Sequence, residues 1–305
     1  MIQVLLVFWL ISAVLLIWEQ KVARILIYLA VFSFISSMCF LLFAAPDIAL
    51  AEAVVSVFST IIFIISFEKY YSFADQVSAG KTKKGFGRSI PPILFAALLF
   101  ALFVRFVPEE TADFQLKEQF VSMFSSDVGG ENAVTAIYLG YRLYDTLFEA
   151  LMLMVSVAAI IHLSWHKGIF AVNSIYNSIR HSQIAVFTIR MVCPVLLLFS
   201  IYLIANGHLS PGGGFQGGVI AASFFICRYM IYDIFDTPVK KIITLEKIFF
   251  ALIILLSLLF ITFLANAYLP ELRTAYLITM NLLIGMKVAC GFFIMFYRFI
   301  SFERR

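Results

Sequence analysis

Nine apolar runs, each long enough to cross a membrane, alternate with polar segments along the 305 residues. A membrane-spanning helix needs about 20 consecutive apolar residues. The runs cover approximately residues 2–18, 22–44, 48–67, 91–107, 134–161, 185–205, 213–232, 246–268 and 275–297. With 63% hydrophobic and 13% charged residues, the composition lies far outside that of soluble domains. The pattern predicts an all-α, polytopic membrane bundle of about nine transmembrane helices.

The basic residues predict the orientation of this bundle. In a nine-helix topology, 16 of the 22 lysines and arginines fall on one side of the membrane, and the loop at 108–131 on the other side is acidic. Basic residues in short loops stay on the cytoplasmic side. We therefore expect the N-terminus outside and the C-terminus inside a prokaryotic cell membrane. Because the positive residues follow the topology and form no basic groove, nucleic-acid binding is not expected.

Two hydrophilic stretches, at 68–88 and 108–131, divide the chain into three parts. They predict a first module at 1–75 with three helices, a second at 76–165 with two helices, and a third at 166–305 with four helices.

A glycine-rich segment lies between two apolar runs of the third module. Five of the 15 glycines fall within residues 212–218. Glycine is costly in a lipid-facing helix and exposes backbone, so such a run suits a site where backbone packs against protein or borders a polar cavity. A flexible turn is the alternative. His208 and Gln216 add polar side chains, although His208 also fits an ordinary interfacial position.

Lys287 is the most deeply placed charge of the third module, with about ten apolar or small residues on either side. Ten helical residues span roughly 15 Å, more than a lysine side chain reaches. A lysine at that depth either pairs with a carboxylate or gives up its proton. Both states suit a proton relay, whereas a structural pair with a neighbouring subunit is the alternative.

A second set of polar residues occurs in the second module. Helical spacing places Tyr138, Arg142, Asp145, Glu149 and Ser156 on one stripe. Arg142 can pair with Asp145 as a structural brace. Glu149 lies near the middle of the run, where a carboxyl group that exchanges protons would serve a relay.

The first module contributes Asp47 and Glu52. Asp47 follows Pro46 and fits a helix start, where a carboxylate can cap free N–H groups. Glu52 lies about 8 Å further along the helix, beyond capping reach. It is either a protonatable group on a polar path or a lone interfacial charge.

Redox, metal and catalytic chemistry are not indicated. The four cysteines, Cys39, Cys193, Cys227 and Cys290, are scattered singly through apolar runs without iron–sulfur or metal-site spacing. We expect no cofactor, metal or catalytic centre in this chain.

Two segments of the third module, 207–218 and 281–291, resemble the B subunit of Mrp-type sodium/proton antiporters, whose modules also occur in membrane-bound, complex I-like hydrogenases. Residues 45–55 resemble the D-type module of these complexes. Residues 138–149 resemble the E-type module, with its tyrosine-rich stretch ending in a glutamate.

This resemblance implies a membrane subunit of a cation/proton antiporter module, with Na⁺ and H⁺ as the transported ions. The residues expected on the proton or ion path are Glu52, Asp145, Glu149 and Lys287. Those expected in supporting polar or structural roles are Asp47, Arg142, His208, Gln216 and Asn281. A scaffold subunit without a direct transport role is the alternative.

The large antiporter-like domain of the family is not found in this sequence. The resemblance therefore implies partner subunits, including antiporter-like ones, that carry the main channels. Those partners would belong to an Mrp-type or hydrogenase-like membrane complex.

Overall fold

The computed structural model describes residues 2–19, 21–71, 114–163, 183–231, 239–264 and 270–301. The predicted span at 91–107 and the predicted module boundaries lie outside them. The α-helices of the described parts are α1 (Ile2–Trp18), α2 (Val22–Leu42), α3 (Pro46–Tyr71), α4 (Phe114–Asp127), α5 (Ala133–Ala136), α6 (Leu143–Leu163), α7 (Gln183–Asn206), α8 (Gly214–Ile231), α9 (Val239–Leu259) and α10 (Pro270–Ser301). Two π-helical turns, π1 (Ile137–Tyr141) and π2 (Phe260–Leu264), adjoin α6 and α9.

Six helices of the described parts are long and apolar enough to cross a membrane. These spans are Val22–Leu42, Pro46–Ile64, Leu143–Leu163, Val186–Asn206, Val239–Thr262 and Leu272–Phe299. A shorter apolar stretch, Gln3–Trp18, lies in α1. The all-α, multi-pass membrane architecture is confirmed, while the total of nine spans and the orientation stay predictions.

Helix α10 lies at the centre of the bundle and contacts α3, α6, α7, α8 and α9. In its most apolar 18-residue window, 56% of the residues are buried, against 17–22% in the other five spans. Helix α1 packs on α2, and α2 on α3, so the N-terminal helices extend away from this centre. Lys287, near the middle of α10, is therefore enclosed by protein.

Small residues bring α8 and α10 into close contact. A Cβ atom added to Gly218 would lie 2.5 Å from the carbonyl oxygen of Gly285 and 2.8 Å from Cβ of Val288. Close backbone approach of this kind is the usual reason for small residues between membrane helices. The glycine-rich segment thus continues into a tightly packed helix pair.

The predicted span at 134–161 is interrupted near its start. It begins as α5, passes through π1, and resumes as α6 after Arg142, whose N–H bonds to Ile137 O at 2.8 Å. The Thr146 hydroxyl donates to Tyr138 O at 2.5 Å, and the Tyr276 hydroxyl donates to Leu139 O at 2.9 Å. These side chains satisfy carbonyls near the break, which would be costly to leave unpaired inside a membrane.

Helix α9 begins at Val239, seven residues before the predicted span at 246–268. Glu246 therefore lies two turns inside the helix and not at its first residue. Its side chain falls on the buried stripe of α9, together with Phe249, Ile253 and Ser257.

Candidate functional site

A buried ion pair joins α9 to α10. Lys287 Nζ lies 2.9 Å from Glu246 Oε1, and the two side chains are 0% and 2% exposed. The Lys287 ammonium also lies 5.6 Å from the centroid of the Phe250 ring, within the range of a cation–π contact. Removing two charges from water is expensive unless each stabilises the other. This chain itself therefore supplies a carboxylate partner, which is one of the two outcomes expected for a lysine at this depth.

The pair is closely surrounded by apolar and small residues. One turn beyond Lys287, a Cβ atom on Gly291 would lie 3.2 Å from Leu153 on α6. Within the described residues, neither Nζ of Lys287 nor Oε1 of Glu246 makes a further hydrogen bond. The attraction between these two groups is consequently the main compensation for burying both charges.

Glu246 is not among the residues that the sequence alone singles out. Lys240, Lys241 and Lys247 flank it, so it resembles part of a polar helix end. The available signal is its spacing of three, seven and eleven residues from Phe249, Ile253 and Ser257, which places it on the apolar stripe of α9.

A polar cluster around Asp47 holds the glycine-rich turn against α3. Asp47 is buried, and its Oδ1 accepts hydrogen bonds from Gly212 N at 2.9 Å and from Asn132 Nδ2 at 3.4 Å. Asn132 Nδ2 also donates to Ser210 O at 2.9 Å. Within the described residues, Asp47 thus bonds to distant segments and makes no capping bond to its own helix.

The cluster continues inward through Tyr138 and Asn281. The Tyr138 hydroxyl donates to Asn281 Oδ1 at 3.1 Å, and Gly214 N donates to the same oxygen at 3.0 Å. The Thr135 hydroxyl donates to Gly207 O at 2.5 Å. Asn281 is fully buried and binds the first turn of α8, which fixes the turn between α7 and α8.

Two glycines of this turn have conformations or contacts that exclude a side chain. Gly212 and Gly213 have φ values of +146° and +148°, which L-residues rarely adopt. A Cβ atom on Gly213 would also overlap the Tyr138 hydroxyl group. The segment is therefore an ordered, tightly packed turn and not a flexible one.

The other sequence candidates of this region lie around the turn. His208 is buried, and its carbonyl oxygen accepts from Glu131 N at 2.8 Å and Asn132 N at 3.0 Å. Its ring nitrogen Nδ1 lies 3.1 Å from Ala205 O. Gln216 and Glu52 are partly exposed. His208 thus joins the turn to the segment before α5.

The polar side chains of the predicted stripe from Arg142 onward lie on the outside of the chain, whereas Thr146 of α6 is buried. Arg142, Asp145, Glu149 and Ser156 are exposed, and Arg142 pairs with Asp145 at 2.5 Å. Tyr138 leaves the predicted stripe, because π1 and the non-helical Arg142 change the helical register. The structure therefore separates Glu149 from the buried Lys287–Glu246 pair, with the apolar face of α6 turned inward.

Two family models match the chain. Residues 7–71 match MbhD, the D component of MBH, and residues 184–294 match MnhB, a domain related to the MnhB subunit of the Na⁺/H⁺ antiporter. The chain combines an MbhD-like module with an MnhB-like module. Asp47 and Glu52 lie in the MbhD-like module, and the Lys287–Glu246 pair lies in the MnhB-like module. The resemblance of residues 76–165 to an E-type module stays a prediction.

Curated relatives of this chain include antiporter subunit mnhA2 of Staphylococcus aureus strains JH9 and JH1. Each is 30% identical over 141 residues, which are 46% of this chain and 17% of the relative. The chain therefore spans less than a fifth of the length of these relatives.

Two solved structures share the fold. A chain of the Mrp complex from Dietzia sp. DQ12-45-1b matches with a TM-score of 0.77 at 18% identity, covering 99% of this chain and 35% of that one. A chain of the membrane-bound sulfane sulfur reductase, an archaeal respiratory membrane complex, matches with a TM-score of 0.51 at 23% identity, covering 68% of this chain and 94% of that one. A fold of this kind thus occurs within a longer polypeptide of a membrane complex.

Proposed function

We propose that this chain contributes a proton or sodium path to a multi-subunit cation/proton antiporter module. The module would be a stand-alone Mrp-type antiporter or the membrane arm of a hydrogenase-like respiratory complex. Antiporter-like partner subunits would carry the main channels, and Na⁺ and H⁺ would be the transported ions. The observation that carries the proposal is the buried Lys287–Glu246 pair inside the MnhB-like module.

The chemistry of the pair suits a proton relay. Transfer of one proton from Lys287 Nζ to Glu246 Oε1 converts an ammonium and a carboxylate into an amine and a carboxylic acid. The net charge of the site does not change in this step, and the proton crosses a contact of only 2.9 Å. Because low-dielectric surroundings disfavour charged groups, the two states can lie close enough in free energy for exchange. A cation that approaches the pair from outside would stabilise the carboxylate form of Glu246 relative to the carboxylic acid. Movement of the cation would thereby be coupled to movement of the proton.

A structural role is the second candidate, and the Asp47 cluster favours it. Asp47, Asn132 and Gly212 connect the MbhD-like module, the segment before α5 and the MnhB-like module by direct hydrogen bonds. On this view the polar groups brace the bundle, and transport depends only on how much complex assembles. Transport per assembled complex distinguishes the two roles.

Glu246→Gln is expected to lower the initial rate of sodium-dependent proton movement at least tenfold per assembled complex. An amide keeps the size of the side chain and an acceptor for Lys287, but it cannot take up the proton. The rate is measured in inside-out membrane vesicles with a pH-sensitive dye, and complex content is measured from the same vesicles.

Glu131→Gln is the matched control, because Glu131 is exposed at the turn before α5. This control should keep the wild-type rate per complex. If Glu246→Gln also keeps that rate, the relay role of the pair is wrong and the bracing role stands.

A further inference from the structure

Helix α6 carries two carboxylates, Asp145 and Glu149, on the side that faces away from the bundle. Its buried face is formed by Leu143, Thr146, Ala150, Leu153 and Val157. Its outer face, here the residues Tyr144, Asp145, Phe148, Glu149, Met152, Val155 and Ser156, is exposed. A helix whose outer face meets lipid is expected to be apolar on that face. The two carboxylates among the apolar side chains of this face are therefore not expected for a lipid-facing helix.

Glu149 is the decisive residue of this outer face. It lies six residues after the start of the Leu143–Leu163 span and fourteen before its end, or roughly 9 Å and 21 Å along the helix axis. The short glutamate side chain cannot reach water over either distance. Ionisable groups at such depth face protein or a hydrated cavity and only rarely face lipid. The outer face of α6 is consequently expected to be covered by protein.

The neighbouring apolar side chains have the form of a helix-packing surface. Tyr144, Phe148, Met152 and Val155 are 56–68% exposed and follow steps of four, four and three residues. Such a ridge fits the groove of an approaching helix. Glu149 lies beside this ridge, so one helix can cover both.

A second copy of this chain is a poor occupant. Parallel copies related by a two-fold axis along the membrane normal would place Glu149 opposite Glu149 at the same depth. Two carboxylates in that position repel each other in a medium of low dielectric constant. An unlike helix with a donor at this level would instead neutralise the carboxylate.

We propose that the outer face of α6 binds a transmembrane helix from another protein of the complex, and that this helix places a basic side chain level with Glu149. Small residues on the partner helix would receive Phe148 and Met152. The interface is an assembly surface, and its existence does not depend on whether Lys287 and Glu246 relay protons.

The test uses the complex in its native membranes. A photoreactive phenylalanine analogue is placed at Met152, and the adducts formed on illumination are identified by mass spectrometry. We expect one major adduct, to an apolar segment of another subunit that has a Lys, Arg or His within one helical turn of the attached residue. We also expect Glu149→Leu to reduce the yield of this adduct at least fivefold, whereas Glu149→Gln retains a larger part of it.

The matched control is the same analogue at Leu198 on α7, which is 68% exposed, as is Met152, and whose neighbours one turn away, Pro194, Val195, Ile201 and Tyr202, are uncharged. Leu198 should label lipid. The proposal is overturned if Met152 labels only lipid, reacts only within its own chain or with a second copy, or attaches to a segment that lacks a basic residue nearby. It is also overturned if Met152 gives no adduct while Leu198 does.

Discussion

Replacing Lys287 by alanine is expected to destabilise the bundle by about 3–5 kcal/mol. The substitution leaves the Glu246 carboxylate buried without its counter-charge, and breaking one side of a buried pair has costs of this size. The lost packing of the lysine stem adds to the effect, because Lys287 is fully buried. The measurement is the thermal unfolding midpoint of the detergent-solubilised complex, together with the amount of chain in the membrane.

Two further variants distinguish the effect of losing the ion pair from the general effects of a substitution. The double variant Lys287→Met with Glu246→Met removes both charges and keeps similar volumes, so its stability should lie within about 2 kcal/mol of the wild type. Lys247→Ala alters an exposed lysine next to Glu246 and should have little effect. A stable Lys287→Ala variant, or a double variant as unstable as the single one, would show that the pair does not determine the stability of the site.

Gly218→Ala is expected to destabilise the contact between α8 and α10 by about 2–3 kcal/mol. The added methyl group would lie 2.5 Å from Gly285 O and 2.8 Å from Val288 Cβ, so the two backbones must separate. Overpacking at backbone has costs of this order and outweighs the better helix propensity of alanine. Thermal unfolding of the solubilised complex measures the loss.

Gly291→Ala is the matched control for this substitution. Its Cβ atom would meet the end of the Leu153 side chain at 3.2 Å, which can shift by a few tenths of an ångström. We expect a stability within about 1 kcal/mol of the wild type for Gly291→Ala. Equal losses of stability for the two variants would contradict the interpretation that α8 and α10 pack more closely at Gly218 than α10 and α6 do at Gly291.

The fold class could be predicted from the sequence because long apolar runs have few structural solutions in a membrane. The depth of Lys287 in its run is also visible in the sequence, and its burial follows from the central position of α10. Its partner could not be identified, because the pairing of α9 with α10 is a tertiary contact between residues 41 positions apart. The flanking lysines of Glu246 further obscure the point at which α9 enters the apolar region.

The break at Arg142 limits what helical periodicity can predict. A stripe through Tyr138, Asp145 and Glu149 assumes a continuous α-helix, but π1 turns Tyr138 inward while Asp145 and Glu149 stay outside. Hydrogen bonds from Thr146 and Tyr276 stabilise this break. Tyr276 lies 137 residues beyond Leu139, whose carbonyl oxygen accepts its hydrogen bond. No local pattern could show this contact. The sequence indicates that the glycine run packs against protein or borders a polar cavity. The contact of Asp47 with Gly212 could be identified only from the tertiary structure.

Sodium-dependent proton movement by the double variant Lys287→Met with Glu246→Met tests the central claim most directly. This variant removes the pair without leaving a buried charge, so the complex should assemble and its contribution to bracing should be retained. The initial rate is measured per assembled complex in inside-out vesicles, beside a Lys247→Met control. We expect at least a tenfold loss for the double variant and a wild-type rate for the control. A wild-type rate from the fully assembled double variant would contradict an ion path through this pair.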